Sequence, residues 1–204
     1  SEFKMWCQRK VSGETATQLL AGPDGVALAR RIAEAIHKLH WANLPTAQAH
    51  TMADELRILR ECFAKVAAPR PEWAGRLAGL MLACEKLGAS VPTPNTCGIH
   101  RDFYSAQVIV ERGLQPASTS EGVSRQLLRD GDGGGRGSGV NATLVSRLWL
   151  IDFDLFCLGD PGLDVGNFLG HVNEQALRER WDANALRAVD SAMEDRFVEL
   201  SGER

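Results

Sequence analysis

Residues able to do acid–base and metal chemistry stand close together in the middle of the chain. His100 and Asp102 are separated only by Arg101, and Gln107 lies five positions beyond Asp102. An apolar run, Val108-Ile109-Val110, begins immediately afterwards. A second apolar run, residues 148–151, ends in Asp152-Phe153-Asp154, and further carboxylates follow at Asp160 and Asp164. A carboxylate on a loop can orient an alcohol and take its proton, while carboxylate and amide oxygens are the hard donors that Mg²⁺ prefers. Asp102 suits the first task, and Asp152 with Gln107 suits the second. A proton acceptor beside oxygen ligands is what phosphoryl transfer to a hydroxyl asks for. An Asp closing a buried strand is costly unless a cation or a hydrogen-bonded loop compensates it, which sets Asp152 apart from an ordinary surface acid. Asp154 is open between a site role and a turn role, and Asp160, before Pro161, reads as a turn or cap residue.

For these groups to meet, the loop before one strand and the end of its partner must share one edge of a hairpin. The periodicity supplies such strands over 107–111 and 144–153, and an antiparallel pair is the simplest arrangement. Between them, residues 113–139 are rich in Gly, Ser, Arg and Asp and read as a mobile surface insert. The remainder reads as helix. A short turn of helix is expected over 15–20, after a turn at 11–15. A longer helix starts at Asp24, with Val26, Ala29, Ala33, Ile36 and Leu39 at helical spacing. Residues 51–67 form a second, and a third runs from Pro71 to Gly88 with Trp73, Leu77, Leu80, Met81 and Cys84 as its core stripe. Two more helices cover about 163–172 and 174–200, with a break near Asp182. Helices first, a short strand pair next and helices again make the chain α+β and mainly α, not alternating βαβ.

Composition excludes several classes. The 204 residues, 44% hydrophobic and 24% charged, suffice for a sizeable core. A net charge of −3 with no Lys/Arg block argues against a nucleic-acid partner. No apolar run approaches a membrane span and no secretory signal is visible, so no membrane partner and a cytoplasmic location are expected. The opening Ser-Glu-Phe reads as a cloning scar on a piece of a longer chain. The five cysteines are odd in number and lack Cys-x-x-Cys spacing, so neither a disulfide framework nor a zinc site is expected; Cys84 and Cys157 read as small core residues. Acidic residues concentrate in the C-terminal quarter. Glu174, Glu179 and Asp182 are therefore weak candidates for contacting a cationic substrate, with a solvated helix face as the simpler account. His37 and His40 lie three apart on a helix, but no carboxylate completes a metal set there, and His171 reads as surface or core.

"GIHRDFYSAQVIV" and "LWLIDFDLFCLGDPGLDVGNFL" resemble the two signature segments of the aminoglycoside phosphotransferase and choline kinase family, whose pattern is His-x-Asp-x-x-x-x-Asn, a strand, Ile-Asp-Phe/Trp and Gly-Asp-Pro-x-x-Asp. "VSGETATQLL" is similar to the stretch after that family's interlobe hinge, and "ARRIAEAIHKLH" to its helix ending in Leu-His. The resemblance covers nearly everything outside the insert. It implies a protein-kinase-like C-terminal lobe over 15–204 behind a hinge-like connector, 1–14. Asp102 would match the catalytic Asp, Gln107 and Asp152 the Mg²⁺ ligands, Asp164 a carboxylate bracing the catalytic loop, and His100 a structural member of that loop. The activity implied is ATP-dependent phosphorylation of a small-molecule hydroxyl, aminoglycoside- or choline-like and possibly cationic, with ATP as co-substrate.

Three departures accompany the match. Gln107 replaces the usual Asn, Arg101 stands where small-molecule kinases usually carry Gly, and no Gly-rich strand pair with a following Lys strand precedes residue 10. The glycines of 131–139 contain no G-x-G-x-x-G to replace it. The N-terminal nucleotide-binding lobe is thus expected as a missing partner from the same parent chain, and this chain alone is expected not to turn over. The alternative is a non-catalytic binding or interaction module. A kinase acting on protein substrates ranks lower, because no Ala-Pro-Glu segment follows Asp152.

Overall fold

The computed structural model describes residues 10–92, 96–112 and 146–202. The 113–139 insert and most of the 1–14 connector lie outside the described residues.

The chain is mainly helical with two small antiparallel sheets. β1 (Glu14–Thr15) leads into the short α1 (Ala16–Leu19), so the expected turn at 11–15 closes in a strand. β1 pairs with β3 (Val108–Arg112), which pairs in turn with β4 (Ser146–Leu150), placing Val108 opposite Leu150 and Val110 opposite Leu148. A second pair, which the periodicity did not reveal, joins β2 (Cys97–Ile99) to β5 (Cys157–Gly159). Three-residue strands show no alternation to read. Their packing is tight instead: a Cβ on Gly98 would lie 2.6 Å from the Phe156 ring.

α2 (Gly25–His40) buries Leu28, Ala29, Ile32, Ala33, Ile36 and His40 along one face. That face packs with α6 (Arg187–Ser201), and Arg30–Glu199 and Arg196–Glu34 ion pairs flank the contact. α5 (Pro161–Arg180) adds Val165, Phe168, Val172 and Ala176 to the same core. The Asp160 side chain caps this helix by accepting from the Gly162 N–H at 2.8 Å, and Pro161 fits its first turn. The boundary expected at 173 does not occur: α5 runs unbroken through it and ends at Trp181 in a left-handed conformation, one residue from the expected break near Asp182, and α6 begins only at Arg187.

α3 (Met52–Ala67) and α4 (Ala74–Ser90), the latter entered through a 3₁₀ turn at Pro71–Trp73, pack chiefly on each other. Thr51 starts α3 with a reciprocal cap to Asp54. The core stripe expected on α4 does not form. Of Trp73, Leu77, Leu80, Met81 and Cys84 only Met81 is buried, and α3 buries nothing. Helical periodicity shows which side of a helix is apolar, but a second layer must be present to cover it. The hairpin is tied down at its base, where the 48–50 segment exchanges backbone hydrogen bonds with Leu158 of β5, and His50 bonds to Glu55. Among the described residues no helix is long and apolar enough to cross a membrane.

Candidate functional site

The loop following β2 is organised by Asp164, a fully buried carboxylate on the first turn of α5. Its Oδ2 accepts the His100 backbone N–H at 2.9 Å, and its Oδ1 accepts the Arg101 N–H at 2.7 Å. The His40 Nε2 lies 2.9 Å from Oδ2, also buried. An ionised carboxylate cannot stay dry without such donors, and three of them on two oxygens satisfy most of its capacity. Arg101 meanwhile takes φ 72, in the region that favours glycine, so the loop holds a conformation costing roughly 1–2 kcal/mol. The short bond to Asp164 from that same residue offsets the strain.

His100 is fully buried between the Phe103 and Phe153 rings, with centroids at 5.8 and 4.9 Å. Its Nε2 donates to the Ile151 carbonyl at 2.8 Å, which assigns the proton to Nε2. The loop around Asp102 is thereby fastened to the segment that carries Asp152. A second fastening lies further along. Gln107 Nε2 donates to Asp152 Oδ2 at 3.2 Å, while the Ile151 N–H donates to the Gln107 carbonyl. Asp152 also has a positive φ, 65, which Asp tolerates better than most residues and which turns the chain out of β4; that turn leaves it exposed, so the burial cost expected of it does not arise. Asp102 itself is half-buried, and among the described residues its carboxylate has no hydrogen-bond partner. A pinned loop thus presents one uncommitted carboxylate, and a neighbouring carboxylate–amide pair touches across the strand ends.

Among the described residues no three His, Cys, Asp or Glu side chains cluster as a metal cage. The oxygen donors available are those of Asp152 and Gln107. That set fits Mg²⁺, which usually takes one or two protein oxygens and fills its octahedron with water or phosphate oxygens, once the Gln107 amide presents its oxygen rather than its nitrogen. Nearby cysteines do not suit nucleophilic work. Burial, with Asp164 and Asp160 adding to it, pushes the Cys97 thiol up to about 11. Burial raises Cys157 as well. Both stay protonated near neutrality.

The remaining candidates are engaged locally. Glu174 pairs with Arg178 at 2.9 Å, Glu179 lies 3.8 Å from the same guanidinium, and Asp182 accepts the Asn184 N–H in the turn after α5. These contacts account for all three as surface ion pairs and a turn cap. Residues that the patterns did not single out hold the loop from behind. Asn167 donates to the Phe103 carbonyl, Ser105 Oγ lies 2.8 Å from Thr17 Oγ, and Gln175 donates to the Thr17 carbonyl. Tyr104 stacks on His171 at 4.5 Å. His40 stands out in the sequence as half of a His37/His40 pair and as the end of the Leu-His helix, but not by its partner, which lies 124 positions away. A groove of about 430 Å³ between α3 and α4 is lined by apolar residues such as Phe63, Leu77 and Met81 and by none of the residues around Asp102.

No protein-family model matches the chain, and no curated protein matches it. Among solved structures it is similar to aminoglycoside phosphotransferase APH(3'')-Id from Streptomyces rimosus ATCC10970 in complex with ADP and streptomycin, at 19% identity and a TM-score of 0.45 over 94% of this chain and 66% of that one. A second structure of that protein gives 20% identity and a TM-score of 0.43 over 94% of this chain and 65% of that one. The chain therefore spans about two thirds of the length of that protein.

Proposed function

We propose that this chain is the catalytic and substrate-binding lobe of an ATP-dependent phosphotransferase acting on a small-molecule hydroxyl, aminoglycoside- or choline-like. The observation that carries the reading is the juxtaposition of Asp152 with Gln107 at the strand ends, beside a loop whose backbone is clamped and whose Asp102 carboxylate is uncommitted. In this reading the acceptor hydroxyl hydrogen-bonds to Asp102. Its oxygen forms the new bond to the γ-phosphorus, the bond from that phosphorus to the ADP oxygen breaks, and the hydroxyl proton passes to Asp102. Asp164 and His40 act through the backbone, holding Asp102 at a fixed distance from the strand ends. Asp152 and Gln107 would hold Mg²⁺, which neutralises phosphate charge when bound. Positioning and charge neutralisation supply most of the acceleration in such a reaction. A nucleotide-binding lobe on the same parent chain would cover the ATP, and this lobe alone would not turn over.

One observation favours a second reading, a binding module without catalysis. The Gln107 amide donates to one Asp152 oxygen, so the two side chains meet without a cation between them. The test is nucleotide consumption by the longer parent chain against a panel of small alcohols and amino sugars, with Asp102→Asn as the control. Turnover that falls about 10²–10⁴-fold in Asp102→Asn supports the transferase. Equal turnover in both removes Asp102 from the role, and no turnover with any acceptor favours the binding module.

A further inference from the structure

α4 is apolar on nearly every side, the pattern of a helix buried all round, yet the described residues cover only the side that faces α3. A side of it not covered by α3 carries Leu80 and Leu87, exposed by 46 and 66%, and the row continues at Trp73, 47% exposed, in the 3₁₀ turn that leads into the helix. These three stand seven apart and fall within about 20° of one line on a helix of 3.6 residues per turn. Leu77 and Cys84 repeat the spacing on the side turned toward α3, where Leu77 lines the groove, so the free seam is the single row of Trp73, Leu80 and Leu87.

We infer that this seam joins two copies of the chain, with α4 antiparallel to its mate about a two-fold axis at Leu80. Such an axis sets residue 80−n of one copy beside residue 80+n of the other. Leu80 then meets Leu80, and each Trp73 meets a Leu87, a large ring against a smaller side chain on both sides of the axis. The charges agree with this arrangement. Glu72 and Lys86 are fourteen apart and so share one flank of the seam. A two-fold axis perpendicular to the helices turns that flank onto itself. Glu72 of each copy comes within about 3 Å, along the axis, of the level of Lys86 in the other. Lys86 has no ion pair among the described residues, and Glu72 has only an exposed one to Arg70 at 3.8 Å. Each is therefore available to the opposite copy. Gly79 lies on this flank with open space around its Cα, which lets the two helices approach. Arg76, at the edge of the seam, meets its own symmetry mate only about 12 Å along the axis, far enough for water to screen the repulsion, and its long stem can carry the guanidinium to solvent.

Sedimentation equilibrium of the chain tests this. The wild type should be a dimer that dissociates on dilution. Leu80→Glu, an exposed position where folding is checked by circular dichroism, should give a monomer by facing two carboxylates across the axis. Lys86→Glu should weaken the dimer at least tenfold, and adding Glu72→Lys should restore it. A wild type that stays monomeric at every concentration overturns the inference and leaves the seam to a segment of a longer parent chain or to another protein. A dimer indifferent to Leu80→Glu overturns it too, as does a double charge swap that stays weak.

Discussion

Asp164 on α5 and Leu80 on α4 are each the residue type that the opposite environment usually receives. A carboxylate is completely buried in the first case, and a leucine stands about half exposed in the second. The difference lies in what surrounds the helix. α5 is packed by β2, α2, α6 and the loop after β2, which brings three hydrogen-bond donors to one carboxylate. α4 has α3 as its main neighbour, so its periodic apolar residues outnumber the surface available to cover them. Local residue type sets the cost of burial; the number of layers packed on an element decides whether that cost arises.

The contrast can be broken at several points. The largest effect belongs to Asp164→Ala, which strands the two backbone donors and His40 in a dry site. We expect a loss of about 3–5 kcal/mol in urea unfolding, and an equal loss from any single hairpin substitution would remove the contrast. Phe168→Ala removes a fully buried ring stacked on Phe103 at 5.4 Å and should cost about 3–4 kcal/mol. His40→Ala leaves Asp164 two of its three donors and should cost about 1–3 kcal/mol, less than Asp164→Ala because the backbone clamp persists. On the hairpin, Leu82→Ala at a mostly exposed position should fall within about 0.5 kcal/mol of wild type by thermal melting.

The smallest effect depends on pH. Burial raises the Asp190 carboxyl above its usual range; its hydrogen bond from Asn173 opposes the shift, and Glu194 adds to it. A carboxyl that binds its proton more tightly in the folded state favours folding below its usual range, and that contribution is lost as pH rises through the raised value. Asp190→Asn, which can still accept from Asn173, should therefore melt higher relative to wild type at pH 7 than at pH 3. A difference of the opposite sign would show that Asp190 is paired better than its surroundings indicate.

The legibility of the chain followed the range of the interactions. α2 and α3 are local: the apolar spacing after Asp24 and the Thr51–Asp54 cap can be read within one segment, and both helices end within a few residues of the expected places. The antiparallel pairing of β3 with β4 was legible because both strands are long enough to show their composition. β2 and β5 were not, since three residues carry no period and their tight fit depends on which side chain lies opposite Gly98 and Gly159. At the candidate site, Asp102, Gln107 and Asp152 stood out by type and spacing, and His100 and Asp164 through the family resemblance. The contacts of His40, Thr17, Asn167 and Gln175 did not, because each residue reaches the loop from an element far off in the chain.

The sequence by itself determined where most helices begin and end, and which side chains have the chemistry to take a proton or ligate a cation. These depend on caps, periodicity and functional groups, all carried within a few residues. Only the tertiary structure decided that a histidine at position 40 would meet a carboxylate at 164, that residues 107 and 152 would touch, and that the apolar stripe of α4 would stay uncovered. Those outcomes depend on which surfaces the chain brings together over more than a hundred residues, where burial and hydrogen-bond satisfaction are settled jointly rather than one segment at a time.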